Sequence, residues 1–582
     1  MRRGDQRQPQ PEPPPPPVRT VKFSLYDDVI EYSSGAPRSD GVLEVKKKPT
    51  KRHTHAFGTV YSFDTHSVIA RNTMDRIATM QMENTKPLNF WNNLCYGLCF
   101  VGPSIASSAL GLFYSVFILE VAQITPAQNS ILTTAGQVVS SICDLFVGFL
   151  VDATDTRWGK LKPWLLVTTL PAAACCFFQW FSPGFVTPTA KLIWYIVFSG
   201  GFRIFLSGFG NANTSLVMYA TKQPKERDTL NTYANAFGLA SLLLSTLIQQ
   251  GTFALFHADI GYHPAGNGTH NGTHNGTHHG PSLDTEKTAY MVAGAVGAVI
   301  FVLSGLSAIF GVPERRDMKR PHRSSCFPVS DIKEMVRHRP FLTMAVINVL
   351  LVLGLGAKQT YGTLTLQYTF DLGDQVFYIL IVYTVSSIVS TFIWNIAMRR
   401  IGRKKVLCLG IFVFLLPHNA ALLLATDDML GTALVPFMYA VSAWGGIGDG
   451  TLGLISSVMQ TDVIDDFELK TGKKMASVFY SLWNSLGHVV SIISGIVFNW
   501  ILQSVNYNAD NEVQPIIVKQ AFRYLAAGTP PAAYVIVLLF VWLYPITEES
   551  RMRTKMALDA RRAATEEEEK ALHNANDDVS VQ

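Results

Sequence analysis

The sequence predicts an all-α membrane protein whose twelve transmembrane helices form two bundles of six. Three observations predict this fold. Of the 582 residues, 48% are hydrophobic and only 16% are Asp, Glu, Lys or Arg, against roughly 25% in an average soluble protein. The mean hydropathy is positive, at +0.20. Apolar runs of about 20 residues, long enough to cross about 30 Å of hydrocarbon, recur along the chain.

Twelve apolar runs define the predicted spans. They cover residues 90–121, 128–151, 163–183, 191–219, 231–257, 288–312, 341–370, 375–398, 405–425, 430–459, 476–504 and 527–545. This pattern excludes a soluble multidomain protein, an extracellular disulfide scaffold and a disordered chain. The net charge of +5 is too small to indicate a nucleic-acid partner, so the expected partner is the lipid bilayer.

Basic residues outside the spans predict the orientation, because cytosolic loops carry an excess of Lys and Arg. Alternate loops are basic, and the loops between them carry little positive charge. We therefore expect both termini in the cytosol and no cleavable signal peptide. The expected regions are a disordered cytosolic tail (1–87), a first bundle (88–312) with a glycosylated extracellular loop (258–287), a cytosolic linker (313–340), a second bundle (341–546) and a cytosolic tail (547–582).

The loop between spans 5 and 6 contains three consecutive glycosylation sequons, at Asn267, Asn271 and Asn275, which indicates an extracellular position. Four histidines beside them leave a metal-binding tract open as an alternative. The seven cysteines lie in predicted spans or on the cytosolic side, so we expect no structural disulfide. No zinc spacing, nucleotide-binding loop or Ser/His/Asp arrangement is present, so the sequence predicts neither an enzyme nor a resident metal or cofactor.

Polar side chains inside spans are functional candidates, because a charge at the centre of a membrane helix costs roughly 2.5–3.5 kcal/mol on insertion scales. Ser140 and Asp144 share one face of span 2, and Arg203 and Ser207 share one face of span 4. Lys358 and Gln359 lie within span 7, and His488 within span 11. Side chains from both halves would line a solvated central cavity. The alternative is that some of them reach an interface or bond backbone carbonyls.

A charged motif follows span 2 at its predicted cytosolic end. It combines Gly148, where helices can pack closely, with Asp152, Arg157, Gly159 and Lys160. The acid and the bases can form ion pairs with neighbouring helix ends. A weaker echo, Arg399–Lys405, follows span 8 at the matching place in the second half. Two related halves predict alternating access around a site near the midplane.

These residues carry a resemblance to a known family. Thr156–Lys160, Thr461–Lys470 and Phe479–Ser481 resemble the glycoside-pentoside-hexuronide:cation symporter branch of the major facilitator superfamily. Within that branch the chain is most similar to the sodium-dependent lysophosphatidylcholine symporter family. Further similar stretches are Leu119–Pro126, Lys225–Asp228, Glu286–Tyr290, Gly311–Arg315 and Tyr544–Glu549.

The resemblance implies a secondary transporter that carries a lysophospholipid across the plasma membrane with sodium. It also implies gating roles for Asp462 and Asp465, in the Thr461–Lys470 stretch. We expect a monomer whose polar cavity holds the headgroup while the acyl tail lies along apolar helices. Two alternatives stay open: a carrier for another amphiphile or a sugar-like solute, and a degenerate, non-transporting receptor or scaffold.

The chain departs from the family at its charged positions. The family holds sodium with two acids one turn apart in span 2; here Asp144 is present and Ser140 replaces the other acid. The family's span 4 glutamate corresponds to Arg203, its span 7 glutamate to Gln359, and its span 11 lysine to His488. Asp144, Ser140, Ser207 and Arg203 are therefore the candidate cation site, and Arg203, Lys358, Gln359 and His488 the candidate substrate cavity.

These departures lead to a hypothesis about the coupling ion. Arg203 would pair with Asp144 and permanently supply the positive charge that sodium provides elsewhere. The protein would then be a sodium-independent facilitator, or would use protons through His488, whose side chain type titrates near neutrality. Na⁺ and H⁺ both remain candidate coupling ions.

Overall fold

The computed structural model of the protein describes residues 21–25, 28–32, 88–184, 187–256, 283–315, 329–372, 375–507 and 514–561. Two short strands, β1 (Val21–Leu25) and β2 (Asp28–Tyr32), pair antiparallel with Val21 opposite Tyr32 and Leu25 opposite Asp28. This hairpin differs from the sequence prediction, which expected no regular structure in the first 87 residues. Every other regular element of the described residues is helical.

The first half contains six spans. They are Phe90–Leu98, Val101–Leu112, Tyr114–Val116 and the π-helical turn Phe117–Val121 (span 1), Pro126–Ala153 (span 2), Lys162–Phe178 (span 3), Pro188–Ala220 (span 4), Pro224–Phe256 (span 5) and Leu283–Gly311 (span 6). Proline occupies the first turn of spans 2, 3 and 4, where its missing N–H costs no helical hydrogen bond. The short helix Val329–Arg337 precedes the second half.

The second half also contains six spans. They are Arg339–Leu364 with the π-helical turn Thr365–Thr369 (span 7), Val376–Ile401 (span 8), Arg403–Leu409, Gly410–Leu415 and Leu416–Leu424 (span 9), Leu434–Thr471 (span 10), Ala476–Ser504 (span 11), and Ile516–Arg523, Tyr524–Gly528 and Thr529–Leu543 (span 12). The short helices Asp427–Leu430 and Gly431–Ala433 precede span 10. A further helix covers residues 548–561.

Helices thus occupy all twelve predicted positions, and ten are long and apolar enough by composition to cross a membrane. Span 3 is apolar but has only 17 residues. Span 10 runs well beyond its predicted end at residue 459, to Thr471. Span 12 begins at Ile516, before the predicted start at residue 527. The prediction began too late because the charged side chains of Lys519 and Arg523 lower the mean hydropathy of the first turns.

A proline breaks span 9 at a position where another helix satisfies the exposed carbonyl. Pro417 has no N–H to bond Val413 four residues earlier, and a π-helical turn, Gly410–Leu415, lies just before it. Trp444 Nε1 of span 10 donates to Val413 O over 3.1 Å. The irregular turn is therefore tied to the neighbouring helix.

Each half fastens the start of its third helix in the same way. Before span 3, Gly159 has φ +117°, and the amides of residues 160, 161 and 162 donate to the Glu314 carboxylate, which follows span 6. Before span 9, Gly402 has φ +90°, and the amide of Arg403 donates to Glu548 Oε1, which follows span 12, over 3.0 Å.

Both carboxylates lie at helix N-termini, where unpaired N–H groups and the helix dipole favour an anion. The pKa of Glu548 lies below its usual value, because the Arg403 amide bond and the Arg551 and Arg403 charges outweigh desolvation of the carboxylate by burial, which on its own raises the pKa. A Cβ at Gly159 would meet Glu314 at 2.4 Å, and one at Gly402 would meet Glu548 at 3.0 Å. Glycine is therefore required twice over, by backbone conformation and by space.

Candidate functional site

Asp144 of span 2 accepts hydrogen bonds from two side chains of span 4. Ser207 Oγ donates to Asp144 Oδ1 over 2.5 Å, and Asn211 Nδ2 donates to the same oxygen over 3.2 Å. Ser207 and Asn211 are one turn apart and so face span 2 together. Asp144 is only 4% exposed. A carboxylate, a hydroxyl and an amide are therefore within bonding distance inside the bundle.

His488 of span 11 connects this group to the second half of the molecule. Its Nε2 lies 3.4 Å from Asp144 Oδ2, and its side chain is 38% exposed. The structure therefore brings together Asp144, Ser207 and His488, which the sequence analysis singled out. It adds Asn211, which that analysis missed although the residue follows Ser207 by one helical turn.

Arg203 and Ser140 do not join the Asp144 group, and the hypothesis that Arg203 pairs with Asp144 is wrong. No ion pair links the two among the described residues. Arg203 packs instead against Gly136, two turns before Asp144, where a Cβ would meet Arg203 Nε at 2.4 Å. Ser140 Oγ donates to the Gly136 carbonyl of its own helix over 3.1 Å.

Lys358 belongs to a second charged cluster, which lies within the second half. Lys358 Nζ donates to Tyr383 Oη and lies 3.5 Å from Asp449 Oδ1. Tyr383 Oη donates to the other oxygen of Asp449. The sequence analysis missed Asp449, although a carboxylate within the predicted span 430–459 was a visible signal. The neighbouring Gln359 is exposed and is not part of this cluster.

A buried ion cluster closes one end of the molecule between the two halves. We call this the basic end, because the basic loops 157–162, 222–227, 399–405 and 470–474 lie there. Arg403 Nη2 lies 2.7 Å from Asp228 Oδ1, and Arg403 Nη1 bonds Asp462. Arg227 Nη1 lies 2.7 Å from Asp465 Oδ2. We call these five residues the basic-end latch; Asp462 and Asp465 are in the gating positions that the resemblance implies.

A second set of contacts at the basic end joins spans 2 and 11. Asp152 Oδ2 accepts the Val478 amide over 2.9 Å, and Asp152 Oδ1 lies 2.8 Å from Lys160 Nζ. Gly148 packs so closely that a Cβ there would meet Ser481 Oγ at 2.1 Å. Gly148, Asp152 and Lys160 thus lie at the contact between the halves. Arg157, another predicted gating residue, is exposed.

The close approach at Gly148 gives a first prediction. In Gly148→Val the branched side chain would clash with Ser481, so the basic end could not close as described, and we expect transport to fall about tenfold or more. Gly210→Val is the matched control, because no atom lies within 4 Å of a Cβ at Gly210 in the same bundle. Equal transport by the two variants, at matched surface expression, would contradict the close-approach argument.

The polar contacts between the halves described above all lie between the basic end and the level of Asp144 and His488. At about 1.5 Å per residue, His488 lies roughly 18 Å from the basic end of span 11 and Asp144 roughly 14 Å from that of span 2. Ser141 Oγ and Ser485 Oγ lie 2.9 Å apart between them. The two halves are therefore fastened together from the basic end to the level of Asp144 and His488.

An apolar cleft of about 520 Å³ lies between spans 11 and 12, near the end opposite the basic end. Its lining is made of Ile501, Val505, Ile517, Gln520, Ala521, Tyr524, Leu525, Gly528 and Thr529. None of the predicted cavity residues lines this cleft. A shared polar cavity at mid-bilayer stays a prediction. The sequons at Asn267, Asn271 and Asn275 lie outside the described residues.

A comparison with known protein families assigns the helical core to a single family. The sequence profile of the MFS/sugar transport protein family matches residues 95–548. The chain belongs to this family. It is therefore a major facilitator superfamily transporter and not an enzyme, and the prediction of that fold is confirmed. The profile begins within span 1 and ends just beyond span 12, so both halves of the latch lie within it.

Curated relatives of this family member are named as lysophosphatidylcholine symporters and sphingosine-1-phosphate transporters. The zebrafish (Danio rerio) sodium-dependent lysophosphatidylcholine symporter 1-A is 26% identical over 511 residues, 86% of this chain and 94% of the relative. The mouse sodium-dependent lysophosphatidylcholine symporter 1 is 27% identical over 82% of this chain and 89% of the relative. The Xenopus tropicalis sphingosine-1-phosphate transporter MFSD2B is 25% identical over 84% of this chain and 94% of the relative.

Solved structures of more distant transporters share the fold. The Escherichia coli fucose:proton symporter aligns with a TM-score of 0.53 at 13% identity, over 78% of this chain and 98% of its own. A bacterial homologue of the iron transporter ferroportin, solved in an outward-facing state, aligns with a TM-score of 0.52 at 11% identity, over 78% and 99%. At these identities the likeness shows the fold alone.

Proposed function

We propose that this transporter carries a lysophospholipid across the plasma membrane by alternating access, coupled to sodium at Asp144. The observation that carries the proposal is the buried Asp144 group. A lone carboxylate inside a span is costly unless it has a functional partner, and Asp144 touches both Ser207 in its own half and His488 in the other.

Sodium suits the atoms at this position. Sodium is a hard cation that prefers oxygen ligands, and Asp144 offers two carboxylate oxygens beside the Ser207 hydroxyl and the Asn211 side chain. The Asn211 Oδ1 atom is buried without a hydrogen-bond partner, so it is a further neutral oxygen for the ion. The relatives named as sodium-dependent support this choice, and the absence of an Arg203–Asp144 pair removes the reason for a sodium-independent facilitator.

His488 would connect the sodium site to the second half of the molecule. Its Nε2 lies 3.4 Å from Asp144 Oδ2, so this contact has to change when spans 2 and 11 move apart. In this way a histidine would lie beside the sodium site without itself being the coupling group.

The described conformation corresponds to one state of the transport cycle. We infer that the basic end faces the cytosol, because basic loops stay on that side, and that both termini and the latch lie there. The sequons would then be outside and glycosylated. With the cytosolic end fastened up to Asp144, this state is closed inside, and opening requires the latch to break. A single chain contains both bundles, so we infer that the monomer transports.

A lipid substrate agrees with the apolar surfaces of the molecule. Each methylene group that moves from water to an apolar surface contributes about 0.8 kcal/mol, so long acyl tails should bind better than short ones. The cleft between spans 11 and 12 offers about 520 Å³ of largely apolar lining. A receptor or scaffold would not need five charged residues, four of them buried, arranged between two halves, since buried ion pairs seldom add net stability.

One uptake assay tests the proposal. Cells expressing the full chain are given labelled lysophosphatidylcholine on albumin, or a labelled galactoside, with sodium or with N-methylglucamine in its place. We expect lysophosphatidylcholine uptake that falls at least tenfold without sodium. Uptake of the galactoside alone, or lipid uptake that ignores sodium, would contradict the proposal.

A further inference from the structure

The Lys358 cluster joins three helices of the second half by charged and aromatic groups. Lys358 is in span 7, Tyr383 in span 8 and Asp449 in span 10. Besides its polar bonds, Lys358 Nζ lies 4.5 Å from the centroid of the Tyr383 ring. The Lys358 and Asp449 side chains remain 12% and 14% exposed. The ion pair is therefore largely buried, and each of its side chains keeps a small exposed fraction.

Helix packing alone does not account for this pair. Replacing a buried ion pair by apolar side chains of similar volume is often neutral or stabilising, and charges within membrane helices are retained mainly for function. At about 1.5 Å per residue, Lys358, Tyr383 and Asp449 lie roughly 30 Å from the basic end. They are thus farther from the basic end than the polar contacts that join the two halves.

His418 is a buried polar residue next to the cluster. It lies in span 9 with its ring centroid 6.1 Å from that of Tyr383, and it is only 4% exposed. Its Nδ1 is 2.9 Å from the Val441 carbonyl, so Nδ1 donates and Nε2 is left as an acceptor. That Nε2 is buried without a partner, and an unused buried acceptor is costly unless a donor can reach it.

The charges of the cluster match those of a zwitterionic headgroup. We propose that Lys358, Tyr383 and Asp449 form a subsite for that headgroup. This inference rests on the proposed function. Lys358 binds the phosphate of the lipid. Asp449 and the face of the Tyr383 ring bind its quaternary ammonium, since aromatic rings and carboxylates are the usual partners of such cations. Binding replaces the ion pair between Lys358 and Asp449 by two ion pairs with the headgroup. Each of these pairs is neutral, so binding buries no net charge.

The subsite also explains which lipids would be rejected. A lysophosphatidate has the same phosphate but no cation, so its binding would separate Lys358 from Asp449 and leave the carboxylate unpaired beside an anion. Repulsion of like charges in a poorly solvated site is an effective means of discrimination. The cluster therefore selects for a headgroup that carries both signs of charge.

Competition measured on the Asp449→Asn variant tests this subsite. Cells expressing the full chain take up labelled lysophosphatidylcholine in sodium, while unlabelled lysophosphatidylcholine or lysophosphatidate of the same acyl chain competes. We expect the wild type to prefer the zwitterion at least tenfold, and Asp449→Asn to reduce this preference about tenfold. Asp449→Glu should restore most of it. Tyr439→Phe is the control, because it removes only a hydrogen bond between Tyr439 Oη and Gln375 Oε1, 3.0 Å long.

The outcomes separate this inference from the proposed function. An Asp449→Asn variant that takes up lysophosphatidylcholine with an unchanged preference for it over lysophosphatidate would overturn the subsite and leave the carrier function standing. A wild type that takes up no labelled lysophosphatidylcholine would overturn both. Where Asp449→Asn fails to reach the surface, the wild-type competition decides, because equal affinity for the two lipids excludes a zwitterion-selective site.

Discussion

Asp144→Asn is expected to reduce sodium-driven uptake at least a hundredfold while leaving the folded amount of protein nearly unchanged. The amide keeps the shape of the side chain and can still bond Ser207, which lies 2.5 Å from Asp144 Oδ1. It loses the negative charge that a cation requires, and it removes a buried charge that would otherwise need compensation. Initial rates of uptake against sodium concentration, at matched surface expression, measure the effect.

Ser140→Ala is the matched control for Asp144→Asn. Ser140 is the other member of the candidate cation site in span 2, and it is buried, but its hydroxyl bonds the Gly136 carbonyl of its own helix. We expect its loss to change the sodium requirement less than threefold. A large loss in Ser140→Ala, or a sodium response retained in Asp144→Asn, would show that the ion binds elsewhere.

Arg403→Met is the second large effect that the structure predicts. Arg403 is 4% exposed and bonds Asp228 of the first half and Asp462 of the second. Without the guanidinium two buried carboxylates lose their partner, and breaking a buried pair in this way costs about 3–5 kcal/mol. The basic end would no longer close, so uptake should fall at least thirtyfold.

Thiol labelling can report the opening directly. Ser477 is fully buried beside Gly148, so a cysteine in the Ser477→Cys variant should react slowly with a polar maleimide and quickly once Arg403→Met is added. Labelling at this position is read by mass spectrometry of the peptide. An unchanged labelling rate together with full uptake would show that Arg403 does not fasten the two halves.

Arg399→Met provides the comparison for Arg403→Met. Arg399 also crosses between the halves, since its Nη2 donates to Thr229 Oγ1 over 2.7 Å, but this contact is exposed. Exposed polar pairs contribute about 0–1 kcal/mol, so uptake should change less than threefold. Arg403→Lys should be intermediate, because one ammonium keeps the charge but cannot bond two carboxylates in the fork geometry of arginine.

Hydropathy was sufficient to predict the positions of the twelve helices, because crossing a bilayer requires a certain length and an apolar composition, which ten of them meet. The motif order likewise placed Asp152 at a helix end, but Asp462, which was expected just beyond span 10, lies inside that helix, which runs on to Thr471. The motif order could not supply their partners: Arg403 reaches two acids that are far away in sequence, and that choice depends on how the halves pack.

The error over Arg203 has a specific physical cause. Side chains on a helix lean towards its N-terminus, and spans 2 and 4 run in the same direction. The long side chain of Arg203 therefore reaches away from Asp144 to Gly136, where the missing Cβ leaves room. Ser207, one turn further along, is the residue that meets Asp144. The spacing of residues along one helix does not show how far span 4 is shifted relative to span 2, so the sequence did not reveal that Ser207 and not Arg203 meets Asp144.

Two carboxylates, Glu314 and Glu548, each bind the start of a third helix within their own half. Each bundle is consequently a ring, in which the chain leaving the last helix returns to hold a loop near the beginning. A ring of this kind rotates as one piece, since its internal fastenings need not break when the other ring tilts. The contacts that have to change between the two states of the transporter are then those between the rings.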